Sequence, residues 1–593
     1  MRLIATLCML AAVSAGADVV ASAGADVVAS AGADDLTSAR AVFEENIAAI
    51  RDKDRDRYLA VYLNSDKLIR VGPTGFVTGY EEFAKGAGGN WPDTIDASDI
   101  RLTPLAPGVV YGTYRYRVRY GANEITGISE RVFVDTPNGW KIALTGAIDT
   151  PPGTPPPARA IVGGTLIDGR GGAPFPNATV VVRDGRIECA GRCAIPEGVH
   201  VVDARGMFVT PGLVDAHVHF SQTGWADGRP DALDVRATHP YEETMADLRR
   251  NPERFARSYL CSGITGVFDV GGYIWTTGLA QRFANDSAAP HVSAAGPLLS
   301  TLDHWVNLRG ERQFIHLNDA AAAREGVRYL AANGAKAVKV WYLDENKAAV
   351  DAAGAEAAAA KLPLIVHATE LPVAKGAVRA GAKLLVHSVT DGPVDDELIA
   401  LMKERGTILT PTLTVVQGYV RMMQSAASKT APAIDDPNRC VDPATRAKVE
   451  STATLSTKAN VAAFAESTKK EDAIAAANLK RLVAAGIPIA TGTDAGNPLT
   501  LHGPSIYAEM EAMQAAGMTA MQVLVASTAT AARAAQLDAV TGTIEKGKSA
   551  DLLLVAADPS KDVANFRKVK FVMRGGVIRG VEELSAMVVS GER

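Results

Sequence analysis

The spacing of apolar positions divides the chain into stretches of different period. Phe43, Ile47 and Ile50 recur at i, i+4 and i+7, which places them on one helical face. Farther on, Tyr114, Tyr116, Val118 and Tyr120 alternate with Arg115, Arg117 and Arg119, the period of two that a half-buried strand requires. Two further apolar runs, 132–134 and 140–144, flank Thr136-Pro137-Asn138-Gly139, where Asn-Gly tolerates positive φ and closes a hairpin. The pattern predicts a small α+β unit over residues 35–150, helix first and antiparallel meander after. Residues 151–158 then open with Pro151-Pro152-Gly153-Thr154-Pro155-Pro156-Pro157, a semi-rigid linker because proline fixes φ and removes donors.

Beyond the linker, short β runs (AIVGGTLIDG, ATVVVRDGRIECAG, VHVVDARGMFVTPG) are matched near the other end by ADLLLVAADP and KVKFVMRGGVIRG. Pairing of the two sets predicts a composite β-sandwich from residues 159–208 and 542–593. Between them, residues 209–541 alternate strand and helix. The predicted strands are 208–220, 264–270, 291–295, 337–343, 364–368, 384–387, 408–412 and 487–492. Ala-, Leu- and Lys-rich helical stretches intervene, such as 319–332, 347–360 and 396–405. Eight strand–helix repeats fit an α/β fold of the (β/α)8 barrel type. An open doubly wound sheet is the alternative, but its Gly-rich phosphate fingerprint is absent. The longest gap, 415–481, reads as a helical cap over the barrel mouth.

Composition narrows the class. A length of 593 residues is roughly four times the ~150 expected per domain. A formal charge of -5 describes a mildly acidic protein, whereas nucleic-acid binding needs a basic face. Arg2 followed by the apolar stretch 3–13 reads as a secretory signal, too short to span a bilayer. The octapeptide SAGADVVA runs over 14–21, repeats over 22–29 and begins again at Ser30, so A-x-A cleavage fits after Ala17, Ala25 or Ala33. Residues 1–34 are thus expected to be signal and repeat, and the mature protein periplasmic or secreted. No later stretch is long and apolar enough for an integral membrane segment. In that oxidising setting Cys189 and Cys193 could form a small disulfide, while Cys261 and Cys440 read as buried or free thiols.

The candidate chemistry sits at strand ends. His217 and His219 lie two apart in VTPGLVDAHVHF, so on a strand both imidazoles point the same way. His367 ends LPLIVHA, His387 ends AKLLVHS and Asp494 ends IPIATGTDAG. Lys339 lies within the apolar AKAVKVWYL, where an unpaired lysine is costly and sheds its proton. The resulting neutral amine reacts with carbon dioxide to a carbamate, an anion able to bridge two metals. Each histidine alone could be a packed core residue and Asp494 a helix cap. Five strands carrying metal-ligand types together argue for a metal site.

These motifs, with the closing TGTIEKGKSADLLLV, resemble the amidohydrolase superfamily over residues 161–580, and within it the imidazolonepropionase-like and Xaa-Pro dipeptidase-like branch. The N-terminal unit resembles the cone-shaped nuclear-transport-factor or SnoaL-like fold. The first resemblance implies two divalent ions, zinc by expectation. His217, His219 and Asp494 would hold one, His367 and His387 the other, and carbamylated Lys339 would bridge them. Such ions lower the pKa of a bridging water to about 7. Asp494 would then carry a proton to the leaving nitrogen. His304, on the loop after the third strand, either stabilises the developing oxyanion or is a surface histidine. Tyr342 and Glu370 either line the pocket or pack and solvate beside it. The relatives' loop motifs Glu-His-Gly, Gly-Gly-His-Gly and His-Ala-x-Gly are replaced here by Val386-His387-Ser388, Leu302-Asp303-His304-Trp305 and His367-Ala368-Thr369-Glu370. Substrate carry-over is weaker than metal carry-over for that reason.

The expected function is hydrolysis of an amide C–N bond in a dipeptide or N-acyl amino acid. Ring opening of a cyclic amide or lactone is the alternative within enzymes. A non-catalytic binding protein would be expected to have lost a ligand, and none of the six is lost. The N-terminal unit reads as a docking or dimerising module more readily than a second enzyme, with homo-oligomerisation left open. The partner expected at the site is a small molecule.

Overall fold

The structure is a computed structural model of the chain. It describes residues 25–72, 75–121, 123–149, 158–302, 306–342 and 346–590. Residues 1–24 of the expected signal and repeat, and residues 151–157 of the proline-rich linker, lie outside the described residues. The chain divides into two compact units, 1–151 and 152–593.

In the first unit, helix Ala25–Asp52 begins within the octapeptide repeat and buries Ala39, Phe43 and Ile47, with Ile50 partly covered. A six-stranded sheet follows, its long strands Thr94–Ala106, Val109–Tyr120, Asn123–Val134 and Lys141–Asp149 joined as an antiparallel meander. Alternation decides which face of Val109–Tyr120 is covered, since Tyr114 and Tyr116 are buried. The Asn-Gly hairpin forms as expected, with Gly139 at φ +83° and its N–H donated to Thr136 O.

In the second unit, strands from both chain ends pair into one eight-stranded sheet. Phe208–Pro211 runs antiparallel to Leu552–Val555 and parallel to Arg159–Leu166. The expected single strand over 208–220 is instead two strands in two sheets. Phe208–Pro211 stays with the eight-stranded sheet, and Leu213–Val218 enters a parallel one. Gly212 marks the break, because a β-carbon there would lie 2.0 Å from Thr265 Oγ1. Only a residue without a side chain lets the backbone pass so close.

Two parallel sheets carry the remaining strands. Leu213–Val218, Ile264–Asp269 and His291–Ala294 form the first. The second has Val338–Trp341, Leu364–His367, Ala382–Val386 and Ile408–Thr410 in order, extended by Leu298–Ser300 and Phe314–His316. The last two are three residues each, too short for periodicity to reveal. The expected strand at 487–492 makes only an isolated bridge, Leu409 to Ile489, because its backbone bonds are shared between two neighbours. Ala490 N–H reaches Leu409 O, and Thr491 O accepts from Ala216 N–H, so this segment touches both sheets. Lys336 N–H to Ala294 O joins them again at another edge.

Helices alternate with these strands. Ala320–Ala332 starts at Asp319, whose carboxylate accepts the N–H groups of Ala321 and Ala322, the usual answer to orphan donors at a helix start. Lys347–Ala359 and Asp396–Arg405 follow the same logic, capped by Asn346 and Asp395. The expected helical stretch resolves into Val415–Ser428, Pro443–Glu450 and Val461–Ala484. Cys189 and Cys193 are disulfide-bonded. Cys261 and Cys440, expected as thiols, are bonded as well. They are 179 positions apart, and only the fold brings their Cα atoms to 5.5 Å. Among the described residues, no helix is long and apolar enough to cross a membrane.

Candidate active site

Parallel strands present all their carboxyl ends on one side, and the six candidate ligands gather there. His217 lies in Leu213–Val218, Lys339 in Val338–Trp341 and His367 at the end of Leu364–His367. His219 and His387 sit one residue past their strands, and Asp494 follows the bridging segment 487–492. All six line one cleft of about 330 Å³, within the size range of small-molecule sites.

The cluster is tight. Asp494 Oδ1 lies 2.9 Å from His219 Nε2 and 3.3 Å from His217 Nε2, and the two Nε2 atoms are 3.3 Å apart. His387 Nδ1 is 4.0 Å from Asp494 Oδ2, and the His367 and His387 ring centres are 4.4 Å apart. Two of the candidates occupy left-handed backbone, His387 at φ +72° and Asp494 at φ +61°. Non-glycine residues adopt that region at a cost, and such strain gathers at functional sites.

The histidine tautomer tests whether a cation fits. His219 Nδ1 lies 2.6 Å from the carbonyl of Gly271, which can only accept, so Nδ1 carries the hydrogen. In the neutral ring Nε2 then presents a bare lone pair to the Asp494 carboxylate, with a second imidazole nitrogen beside it. Acceptors facing acceptors in a buried place are satisfied by a shared cation. His217, His387 and Asp494 each offer an atom within 4.8 Å of the others, a spacing a divalent ion can bridge. The residues present fit a metal.

Burial sets the charge state of the other members. It pulls the Lys339 ammonium down to about 7, against the pull of Asp494. Burial likewise keeps His217 and His367 well below the usual imidazole range and His387 at about 4, all neutral and able to ligate. It opposes ionisation of Asp494 too. Positive charge beside it, carried by His217 and His219 or by a cation they share, outweighs burial and holds the carboxyl well below its ordinary range.

Around the cluster, Leu298, Phe314, Trp341, Val415 and Val416 give the cleft an apolar wall, and Arg229, Gln222, Gln313, Tyr419, Glu471 and Asp472 give it polar points. Helices Val415–Ser428 and Val461–Ala484, from the stretch expected to cap the site, supply several of these residues. Tyr342 and Glu370 do not line the cleft. Alternation along the strand turns Trp341 toward it with Lys339 and buries Tyr342 on the opposite side, near Gly376. Glu370 is exposed at the start of helix Leu371–Arg379, and Thr369 takes the lining position. His304 lies outside the described residues. Sequence reasoning missed Asn497, whose side-chain N–H donates to Asp494 Oδ1 at 2.7 Å, and also Arg229 and Tyr419, which bond it. The Asn in DAGN stands in the same turn as Asp494 and was a readable signal, whereas nothing local marks the other two.

Comparison with known proteins bears on the family and the fold. Ochratoxinase of Aspergillus niger is 26% identical over 464 residues, covering 70% of this chain and 84% of that protein. N-acyl-D-aspartate deacylase of Alcaligenes xylosoxydans xylosoxydans is 44% identical over 80 residues, which span only 16% of its length. Among solved structures, a Xaa-Pro dipeptidase with methionine in its active site superimposes with a TM-score of 0.55 at 24% identity, covering 71% of this chain and all of the other. The ochratoxinase structure gives 0.54 at 23% identity, covering 72% of this chain and 96% of that one, and both show the shared fold. Residues 208–581, well over half the chain, match the Amidohydrolase family, whose members are generally metal-dependent; this chain belongs to that family.

Proposed function

We propose that this chain is an exported hydrolase that cleaves a C–N amide bond in a dipeptide or N-acyl amino acid, at a binuclear site in a (β/α)8 barrel. The observation that carries the reading is the convergence of His217, His219 and Asp494 as facing acceptors, with Lys339, His367 and His387 lining the same cleft. The two parallel sheets are read as the parts of one barrel, since segment 487–495 hydrogen-bonds to both. His217, His219 and Asp494 would hold one divalent ion and His367 and His387 the other, with Lys339 bridging as its carbamate; zinc suits this nitrogen and oxygen set. Ions held there would supply an activated water and polarise the scissile carbonyl.

The chain's own groups do the rest. Asp494 Oδ1 faces His217 and His219, while Oδ2 has no hydrogen bond among the described residues, which supports assigning it to take a proton from the water and return it to the leaving nitrogen. The apolar wall at Phe314 and Trp341 suits a hydrophobic side chain, and the helices over the cleft limit it to small substrates. His304 is assigned to oxyanion stabilisation on the resemblance alone, and the N-terminal unit to docking. Similarity to a deacylase and a dipeptidase supports the substrate class.

Screening zinc-loaded protein against dipeptides, N-acyl amino acids, cyclic amides and lactones tests the proposal. Release of free amino acid from members of the first two classes is expected. Rapid ring opening with every dipeptide and acyl amino acid inert would replace it with a cyclic-amide or lactone hydrolase.

A further inference from the structure

Asp494 does not stand alone in its turn. Asn497, 2% exposed, donates its amide to Asp494 Oδ1 at 2.7 Å and to the Asp494 carbonyl at 3.0 Å. The other end of that amide accepts from Arg229 Nη1 and, at 2.6 Å, from the Tyr419 hydroxyl. A guanidinium can only donate, so the atom facing it must be the amide oxygen, and the amide nitrogen must face Asp494. The orientation of Asn497 is therefore fixed by chemistry.

The holders of Asn497 are themselves held. Asp231 grips Arg229 in bidentate fashion, Nε at 2.9 Å and Nη2 at 2.7 Å. The guanidinium lies over the Tyr419 ring at 5.7 Å, and Tyr419 belongs to helix Val415–Ser428 above the cleft. The turn is shaped to bring these groups together. Gly496, at φ +110°, passes so near the first strand that a β-carbon would lie 2.7 Å from His219 O.

We propose that Asn497 is a positioning residue that fixes the rotation of the Asp494 carboxylate, keeping Oδ1 toward His217 and His219 and leaving Oδ2 for the proton, with Arg229 and Tyr419 fixing Asn497 in turn. The inference rests on the proposed role of Asp494. It extends that role to a loop residue and a helix residue from distant parts of the chain. A carboxylate free to rotate would spend part of its time in orientations where neither oxygen faces the ion squarely while the other is free for the proton. Partners of this kind are worth about 10–100-fold in metal affinity or activity.

The test uses the full chain with Asn497→Leu, Asn497→Ala, Tyr419→Phe and Asp494→Asn in parallel. Zinc affinity is measured by competition with a chelator, and turnover on the best substrate of the screen above. Leucine keeps the branched outline of asparagine without its donor, so a purely packing role would survive Asn497→Leu. The expected result is a fall of about 10-fold or more in zinc affinity and in kcat for both Asn497 variants, with KM changed less than about 3-fold. Tyr419→Phe, which leaves the Arg229 bond, should show a smaller loss in the same two quantities. Wild-type zinc affinity and kcat in Asn497→Leu would overturn the inference. If neither Asn497 variant folds, unchanged zinc affinity and kcat in Tyr419→Phe would overturn it instead. Asp494→Asn separates the levels. Retained metal and turnover there would defeat the reading of the site itself, whereas their loss beside an unaffected Asn497→Leu would defeat only this inference.

Discussion

Thr493 donates its hydroxyl to Asp215 Oδ2 at 2.6 Å and its N–H to Asp215 Oδ1 at 3.0 Å, joining positions 278 apart in the chain. Asp215 also accepts the His217 N–H at 3.2 Å. One buried carboxylate thus ties the strand that carries His217 to the turn that carries Asp494. Burial pushes its carboxyl up to about 7, so the side chain is kept for its bonds at the expense of easy ionisation.

Removing that tie should weaken the fold. Asp215→Ala leaves the Thr493 N–H and hydroxyl buried without their acceptor, a loss expected at about 2–4 kcal/mol. Denaturant unfolding of the metal-free protein measures it, and a midpoint equal to wild type would contradict the account.

His502 gives a pH-dependent prediction away from the proposed ligands. It stacks on Phe255 at 3.8 Å and bonds the Tyr259 hydroxyl and the Gln222 carbonyl, and burial pulls it down to about 3. A depressed base is bound neutral in the folded protein and takes its proton on unfolding. Its stabilising share is therefore complete above about pH 6.5 and is lost as pH falls toward 3. Relative to His502→Gln, wild type should lose up to ~1.4 kcal/mol for each pH unit below 6.5. Urea unfolding of both proteins between pH 7 and pH 4 checks this, and parallel stability curves would refute it.

The Cys261–Cys440 bond closes a long loop between helix Glu253–Cys261 and the segment before helix Pro443–Glu450. A cross-link of that span restricts the unfolded chain, and its removal should cost about 2–5 kcal/mol. Cys261→Ala/Cys440→Ala should unfold at correspondingly lower denaturant than oxidised wild type. Equal midpoints would show that the bond contributes nothing.

Much of the candidate site was legible because few residue types can ligate a metal and parallel strands deliver their terminal residues to one side. His217, Lys339, His367 and His387 could be placed from the runs that hold them. Strand 208–220 was misread because an unbroken apolar run carries no sign of where one sheet hands over to another; Gly212 marks the point only once Thr265 is seen against it. The Cys261–Cys440 bond was missed because contact across 179 positions is a property of the fold. Tyr342 and Trp341 were hard to separate, since choosing between neighbours on a strand requires its register. The bonds from Arg229 and Tyr419 to Asn497 were invisible for the same reason, as three distant segments meet there.

Residues 36–150 contain none of the proposed ligands, and their own core forms around Phe43, Tyr62, Tyr114 and Phe133. Deleting them should leave a soluble protein that binds metal and retains turnover, with any change confined to oligomer size or substrate access. Turnover and solution mass of the truncation test this. A folded, metal-loaded truncation inert on every substrate of the full chain would assign the unit a part in the reaction.

The central claim is that Lys339 bridges two ions, and metal content of Lys339→Ala tests it most directly. Wild type should carry about two divalent ions per chain. Lys339→Ala should lose most of that metal along with turnover, and short-chain carboxylic acids that take the place of the carbamate should restore part of both. Full metal occupancy with normal turnover in Lys339→Ala would contradict the account.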